Sequence, residues 1–271
     1  MRINQNVAAF NAYRHLNTTG AELGQTLERL SSSFKINRAS DDAARLVRSE
    51  GLRTEISSTI QALHNAQDGI SFLQTSEGAL SEAQSLLQRM RTLAIDAAST
   101  ASGNAASQQI ELDQLLAEFE AMGTRTTFAG VPAFQDFSAQ PLVFHIGTDP
   151  TDALAIDDDL RLDVLNYDGG SLNGLDLLND ADGAIVALDS AIATMSSMRA
   201  GLGANQNRLE QAINSLQVAQ ENLSASESRV RDTDMALEMV NLTRHQVMSE
   251  AGTAMLAQAN LSPESVIGLL G

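Results

Sequence analysis

The sequence has 271 residues, with 34 acidic and 17 basic side chains, and therefore a formal net charge of −17. This acidic balance argues against nucleic-acid binding, because phosphate backbones require basic surfaces. Cysteine is absent, which excludes disulfides and thiolate chemistry, and no apolar run is long enough to span a membrane. The N-terminus lacks the apolar segment of a secretory signal, so we expect no cleaved signal peptide.

The first predicted helix covers residues 3–34 and carries an apolar stripe. Large side chains recur there every three or four residues, which is the spacing of one helix face. The stripe includes Ile3, Val7, Phe10, Leu23, Leu27 and Leu30. Burying one stripe recovers less free energy than ordering the whole helix costs. We therefore expect this end of the chain to order only inside an assembly.

Two further helices are predicted after polar breaks in the sequence. Asp41 and Asp42 are candidate N-caps for a second helix that reaches about Ala98. A segment rich in Gly, Asn and Ser separates it from a third helix over about 106–122. We expect Gly123 to end that third helix, because glycine readily adopts the left-handed conformation that follows a helix.

The middle of the chain changes character at about residues 126–170. Three of the four prolines and five of the ten aromatic residues fall there. Short β-prone runs at 142–146, 154–156 and 160–165 alternate with turn residues, and the Asp-Gly-Gly sequence at 168–170 is a strong turn signal. The sequence therefore predicts a small β-hairpin segment.

The most regular feature is a row of apolar residues seven positions apart, which we call the heptad row. It consists of Leu188, Met195, Leu202, Leu209, Leu216, Leu223 and Val230. This spacing predicts an apolar seam along one long helix, capped by Asp180 or Asp182, that antiparallel helices must cover. The predicted fold is mainly α: a long antiparallel coiled-coil-like helix bundle, or rod, with a small β-hairpin region and paired terminal helices.

A last helix is predicted over about 235–260, after a break at 232–234. Its apolar positions are Val240, Val247, Ala251 and Met255. Pro263 lies beyond this end and does not exclude a further helical turn if it occupies a first helical position.

Both ends of the chain show the same arrangement of a terminal helix, a polar break and a long helix. This symmetry predicts a discontinuous terminal domain made of residues 1–38 and 236–271. The predicted rod domain covers residues 39–235 and includes the hairpin segment.

No arrangement of residues predicts catalysis, a cofactor or a metal site. The four histidines lie far apart without ligand spacing, and no nucleophile-elbow or Walker motif occurs. Part of a calcium loop is matched by Asp180, Asp182, Gly183 and Asp189, but Leu178 would occupy the first ligand position and cannot ligate. We therefore expect helix capping there, and no enzymatic function.

Several long motifs resemble those of the bacterial flagellin family. They are LSSSFKINRASDDAA at 30–44, LGANQNRLE at 202–210, AQENLSASESRVRD at 219–232 and AGTAMLAQAN at 251–260. The resemblance covers roughly residues 1–130 and 180–271. Ser33 and Phe34 depart from the family, which usually has Gly-Leu at that bend.

The resemblance implies a structural subunit that polymerises into the flagellar filament for swimming motility, through terminal helices that order on assembly. It implies a secreted chain in an extracellular filament, exported without a cleaved signal peptide. Its partners would be further copies of itself, an export chaperone at the C-terminal helix, and the filament cap and hook-associated proteins. Arg89, Leu93 and Glu111 match a patch that the flagellin-sensing Toll-like receptor binds, and that patch also suits contacts between neighbouring subunits.

Two alternatives remain open at the level of sequence. A hook–filament junction protein shares the terminal helices of flagellin but would be a low-copy adaptor. A non-polymerising coiled-coil scaffold would need the heptad row but not the terminal helices. Abundance in sheared filaments separates a filament subunit from a junction protein. Removal of residues 235–271 should stop the assembly of a filament subunit and leave a scaffold unaffected.

Overall fold

The computed structural model describes residues 6–99, 104–138, 141–149, 151–156, 160–162, 172 and 174–270, and side chains as far as residue 261. The chain divides into two compact units, Met1–Ile56 with Asn222–Gly271, and Ser57–Glu221. The described residues contain five helices and two small antiparallel sheets, so the predicted mainly α fold is confirmed. The domain boundaries expected after residues 38 and 235 stay a prediction.

The first unit contains two terminal helices, α1 (Val7–Ser32) and α5 (Met235–Leu270). It also includes the first part of α2 (Ala43–Ala98) and the last part of α4 (Ala181–Arg231). Helices α1 and α5 are antiparallel, because Arg29 near the end of α1 contacts Glu238 near the start of α5. Helices α2 and α4 are antiparallel as well, because Ser49 early in α2 contacts Glu227 late in α4.

The second unit combines the rest of α2 and α4 with α3 (Ala105–Arg125). Ion pairs fix the antiparallel order of these helices. Arg89 on α2 pairs with Glu111 on α3, and Arg91 on α2 pairs with Asp189 on α4.

Four short strands in the second unit form two hairpins. They are β1 (Thr127–Phe128) with β2 (Val131–Pro132), and β3 (Leu142–His145) with β4 (Ala153–Ile156). The hairpins predicted over these residues are confirmed. The strand predicted at 160–165 is not formed at 160–162, and its remainder and the 168–170 turn lie outside the described residues.

Three aspartates cap helices, and two of them, Asp42 and Asp180, are among the caps that the sequence predicts. The carboxylate of Asp42 accepts a hydrogen bond from the N–H of Arg45 at 3.0 Å at the start of α2. Asp180 accepts from the N–H of Gly183 at 2.9 Å at the start of α4. The break at 232–234 is also confirmed, and there Asp234 accepts bonds from the first N–H groups of α5. Each cap satisfies an N–H group that has no partner within its helix.

Two local predictions are wrong. Asp41 does not cap α2, because its carboxylate accepts from the N–H groups of Asn37 and Arg38 in the preceding turn. Gly123 does not end α3, which continues to Arg125. A Cβ at position 123 would lie 3.4 Å from Leu162 Cβ, an ordinary contact distance, so Gly123 lies within α3 beside the hairpin segment.

The predicted end of the last helix near residue 260 is also wrong, since α5 continues through Pro263 to Leu270. Proline has no N–H to donate to the carbonyl four residues earlier, which is that of Ala259. The side-chain amide of Asn6 donates to this carbonyl at 2.7 Å. The carbonyl that proline leaves without a helical partner is therefore satisfied from α1.

The hydrophobic core of the second unit lies between α2, α3, α4 and the hairpins. Phe72 stands at its centre, with its ring centroid 6.0 Å from that of Phe128 and 6.2 Å from that of Phe137 in edge-on contacts. Leu80, Leu87, Met90, Leu112, Phe119, Leu154, Ile156 and Leu160 are also buried in this core.

Candidate assembly surface

Helices α1 and α5, which we call the terminal pair, meet along a row of α5 residues seven positions apart. The row consists of Glu238, His245, Gly252 and Ala259. Their respective partners on α1 are Arg29, Glu22, Leu16 and the cap residue Asn6. Such spacing keeps one face of α5 against α1 along the whole length of the contact.

The face between the two helices is made of small and polar groups. Thr19, Thr26 and Glu238 are buried there, and Thr26 Oγ1 donates to the carbonyl of Glu22 at 2.8 Å. A Cβ added to Gly252 would lie 3.3 Å from Leu16 Cδ1, so this position has room only for a small residue. The contact therefore buries little of the large apolar surface that the two helices carry.

Two pairs of ionisable side chains join the helices. An Arg29 guanidinium nitrogen lies 3.7 Å from the buried carboxylate of Glu238. His245 Nδ1 lies 3.4 Å from Glu22, a pair that is ionic only when the imidazole is protonated. A buried carboxylate is costly without its cation, so Arg29 fixes the register of the pair at this point.

Most of the large apolar side chains predicted for the terminal helices lie on the outside of the pair. The exposed fraction is 63% for Val7, 70% for Phe10, 55% for Val240 and 64% for Val247. Leu27, Ala251 and Met255 are exposed as well, while Leu23 and Leu30 are half-buried. Ile3 lies outside the described residues. We call Val7, Phe10, Leu27, Val240, Val247 and Met255 the outer apolar residues.

Sequence reasoning missed the row that faces α1, because that row contains no large apolar residue. The usable signal was the seven-residue spacing itself, shared by Glu238, His245, Gly252 and Ala259. A search for apolar periodicity selects Val240 and Val247 instead, and these point away from α1. An α-helix that is apolar on several faces requires more than one covering partner.

The connection after α1 is held to the end of α4. Lys35 N–H donates to the carbonyl of Arg231 at 2.7 Å, and Thr233 N–H donates to that of Ser33 at 3.1 Å. The guanidinium of Arg231 lies 4.6 Å from the centroid of the Phe34 ring and also pairs with Glu50 at 2.8 Å. The hydrogen bond from Arg231 lowers the pKa of the Glu50 carboxyl.

The heptad row changes its environment along α4. Leu188, Met195, Leu202 and Leu209 are buried in the core of the second unit, whereas Leu216, Leu223 and Val230 are half-buried. Beside the row, Arg91 donates hydrogen bonds to Asp189 and thereby lowers the pKa of that carboxyl.

Arg89, Leu93 and Glu111 come together in the second unit. The guanidinium of Arg89 donates to Glu111 Oε1 from Nε at 2.9 Å and from Nη2 at 2.6 Å, while Leu93 is buried below. They line a shallow cavity of about 400 Å³ together with Thr92, Asp96, Asn104, Ser107 and Gln108. The exposed part of this patch is a paired cation and anion rather than a free charge.

In the part of the chain that the structure describes, no three His, Asp or Glu side chains are placed to hold a metal ion. Among the described helices, none is long and apolar enough to cross a membrane.

Paired terminal helices with outward-facing apolar residues are typical of a protein whose terminal helices are covered by further partners. The bacterial flagellin N-terminal helical region matches residues 3–139, and the bacterial flagellin C-terminal helical region matches residues 185–270. The chain is 40% identical over 303 residues to flagellin of Bacillus subtilis strain 168, with 100% of both chains covered. It is 38% identical over 285 residues to the flagellar filament 33 kDa core protein of Treponema phagedenis, again with 100% of both chains covered.

A crystal structure of Bacillus cereus flagellin is also similar, with 25% identity and a TM-score of 0.49 over 56% of this chain and 88% of that one. On its sequence matches, the chain belongs to the bacterial flagellin family. It is a structural subunit of the flagellar filament, and these sequence relatives favour neither a hook–filament junction protein nor a non-polymerising scaffold.

Proposed function

We propose that the chain polymerises through the outer apolar residues of the terminal pair, which neighbouring copies cover in the filament. The supporting observation is the division of the two helices into a polar, small-residue face turned inward and large apolar side chains turned outward. In a self-sufficient helix pair the apolar residues would occupy the shared face. In this proposal residues 1–38 and 236–271 form the assembly domain, and residues 39–235 form the second domain.

The cost of leaving these side chains in water favours association. Fully burying a valine or phenylalanine side chain stabilises by about 1.5–3 kcal/mol. Several such side chains on each copy, repeated at every contact of a polymer, outweigh the entropy of ordering helices that are marginal alone. This mechanism couples the final ordering of α1 and α5 to polymerisation.

The test is seeded polymerisation of purified full-length protein carrying Val240→Gln and Val247→Gln. A buried polar side chain without a hydrogen-bond partner costs about 1–3 kcal/mol, so we expect the critical concentration to rise by at least about tenfold. Val186→Gln is the matched control, because Val186 is a valine of α4 in the second unit and is 69% exposed. Unchanged polymerisation of the Val240 and Val247 variant would refute the role of this face.

We also propose that an export chaperone covers α5 before assembly, since an exposed apolar helix otherwise associates prematurely. The same Gln substitutions at Val240 and Val247 would then weaken chaperone binding. Export through the flagellar channel also belongs to this proposal, as does a structural role without enzymatic activity. The filament cap and hook-associated proteins are the proposed neighbours at the two ends of the polymer.

The Arg89, Leu93 and Glu111 patch is proposed as a contact between subunits and as a binding site for the flagellin-sensing Toll-like receptor. A paired cation and anion at the rim of a cavity can exchange hydrogen bonds with polar groups of either partner. Replacement of Arg89 by alanine should reduce receptor signalling. Glu118→Gln is a control, because Glu118 forms an exposed ion pair with Arg125 elsewhere on α3. Equal signalling by the Arg89 variant and the unsubstituted chain would show that the receptor does not bind through this patch.

A further inference from the structure

Methionine is unevenly distributed between the two units of this chain. The sequence contains nine methionines and no cysteine, so methionine is its only sulfur-containing residue. In the second unit Met90 and Met195 are buried, and Met122 and Met198 are half-buried. On α5 the exposed fractions are 44% for Met235, 50% for Met239, 48% for Met248 and 64% for Met255. The accessible thioethers of the described chain are therefore concentrated on one terminal helix.

The four exposed methionines flank the face of α5 that contacts α1. Successive residues of an α-helix are about 100° apart around its axis. Met235 lies on one side of the row that begins with Glu238, together with Met239 four residues later. Met248 and Met255, seven residues apart, lie on the opposite side. Both flanks of the α1 contact thus carry flexible, polarisable side chains that suit packing against irregular apolar partners.

We infer that Met235, Met239, Met248 and Met255 are sites of reversible oxidation by peroxides, and that their oxidation prevents a free subunit from entering the polymer. This inference rests on the proposed role of the terminal pair in assembly. Hydrogen peroxide transfers one oxygen atom to the sulfur: the O–O bond breaks, an S–O bond forms, and water leaves. Sulfur loses two electrons and the peroxide gains them, which gives methionine sulfoxide.

The modification acts on assembly through polarity. A sulfoxide is a strong hydrogen-bond acceptor, whereas the thioether that it replaces is nearly apolar. Covering a polar group without a hydrogen-bond donor weakens an apolar contact by about tenfold or more. Four such groups on one helix would block addition of the oxidised subunit. In a finished polymer the same thioethers are covered, so peroxide reaches them slowly.

The first experiment is peroxide footprinting of the full-length chain, read by peptide mass spectrometry. Free subunits and assembled polymer are exposed to hydrogen peroxide for equal times. We expect oxidation of the four α5 methionines to slow by at least about tenfold on assembly, because a polar sulfoxide and its oxidant are excluded from an apolar contact. Met122 and Met198, half-buried in the second unit, serve as internal references. Equal oxidation rates at the α5 positions in both states would overturn the inference.

The second experiment measures seeded polymerisation of chains oxidised while free. The oxidised chain should fail to extend seeds, and treatment with methionine sulfoxide reductases should restore extension. A variant with Met→Leu at positions 235, 239, 248 and 255 keeps the apolar volume and should polymerise before and after peroxide treatment. The pairs 235 with 239 and 248 with 255 can be replaced separately if the fourfold variant loses helicity.

The outcomes separate the inference from the proposed function. If the untreated chain extends seeds and the oxidised chain does so equally well, the inference fails while the proposed function stands. If the Met→Leu variant also stops extending seeds after peroxide treatment, oxidation acts elsewhere and the inference fails. If the untreated chain never extends seeds, the proposed function fails and the inference fails with it.

Discussion

Ser33 holds the bend after α1 in a backbone conformation that suits glycine. Its φ of 63° lies in the left-handed region, where a side chain with a Cβ costs about 1–2 kcal/mol. A serine in this conformation therefore stores strain at this bend. Contacts with the end of α4 hold the bend in this conformation: the carbonyl of Ser33 accepts a hydrogen bond from the N–H of Thr233, and the Phe34 ring lies against the guanidinium of Arg231.

Replacement of Ser33 by glycine should therefore stabilise the chain by about 1 kcal/mol, because glycine adopts positive φ without strain. Urea unfolding followed by circular dichroism measures this gain. Ser31→Gly is the matched control, since Ser31 is exposed within α1, and glycine there should lower stability slightly. A loss of stability in the Ser33 variant would contradict the strain assigned to this bend.

The Asp41 carboxyl makes the stability of the turn between α1 and α2 depend on pH. Hydrogen bonds from the backbone N–H groups of Arg38 and Asn37 lower the pKa of its carboxyl below the ordinary value of 3.8. A carboxyl with a lowered folded-state pKa stabilises the fold above its unfolded value. That contribution is lost as the pH falls from about 4 through the lowered pKa.

The stability advantage of the unsubstituted chain over Asp41→Asn should consequently shrink as the pH falls from about 6 to about 3. Urea midpoints at each pH provide the measurement. Asp68→Asn, at an exposed position of α2, controls for the loss of one negative charge. An Asp41 variant whose stability difference stays constant across this range would show that the carboxylate does not brace the turn.

Interactions between residues close in sequence are the ones that the sequence alone predicts well. The N-caps Asp42 and Asp180 follow from their positions just before helical periodicity begins. The continuation of α3 beyond Gly123 does not follow in this way, because glycine is common just after the end of a helix. The role of Asp41 does not follow either, because adjacent aspartates offer equal capping signals and only the folded turn distinguishes them.

At the scale of elements, α5 depends on α1 for its continuity through Pro263. Asn6 serves both helices: its Oδ1 accepts from the N–H of Ala9 at 3.1 Å, and its Nδ2 donates to the carbonyl of Ala259 at 2.7 Å. Proline inside a helix usually costs about 3 kcal/mol, partly through the lost hydrogen bond. One side chain thus caps α1 and satisfies the acceptor that Pro263 leaves open.

Asn6→Asp separates these two roles, because an ionised carboxylate still caps α1 but cannot donate to Ala259. We expect a loss of about 1–3 kcal/mol in the stability of the terminal pair. Pro263→Ala returns an N–H to the Ala259 carbonyl, so Asn6→Asp should cost less in that background. Hydrogen exchange of α5 amides in the double-mutant cycle measures the coupling. Asn17→Asp, exposed on α1, is the charge control, and strictly additive effects at positions 6 and 263 would contradict the link.

The long helices themselves are predicted within a few residues, because their periodicity is strong and uninterrupted. The end of α5 is not, since the carbonyl that Pro263 leaves open accepts a hydrogen bond from Asn6, at the other end of the sequence. The pairing face of α5 is not predicted either, because its row of glutamate, histidine, glycine and alanine contains no large apolar side chain. Sequence periodicity identifies the apolar residues correctly but not the side of the helix that the partner occupies.

At the scale of the whole molecule, the second unit and the terminal pair differ in the kind of residue that they bury. The second unit buries four members of the heptad row and has a core with aromatic contacts of its own. The terminal pair leaves its large apolar residues uncovered and buries polar groups instead. Segments with few buried apolar contacts open locally at low free-energy cost. The terminal pair should therefore be the least protected part of a free subunit and gain protection on polymerisation.

Hydrogen exchange of the full-length chain, as dilute subunit and as polymer, tests this account most directly. We expect amides of residues 7–32 and 235–261 to exchange rapidly in the free subunit and to become strongly protected in the polymer. Amides of residues 80–94, in the core of the second unit, should be protected in both states. Equal and strong protection of the terminal helices in the dilute subunit, together with no polymer after seeding, would contradict it.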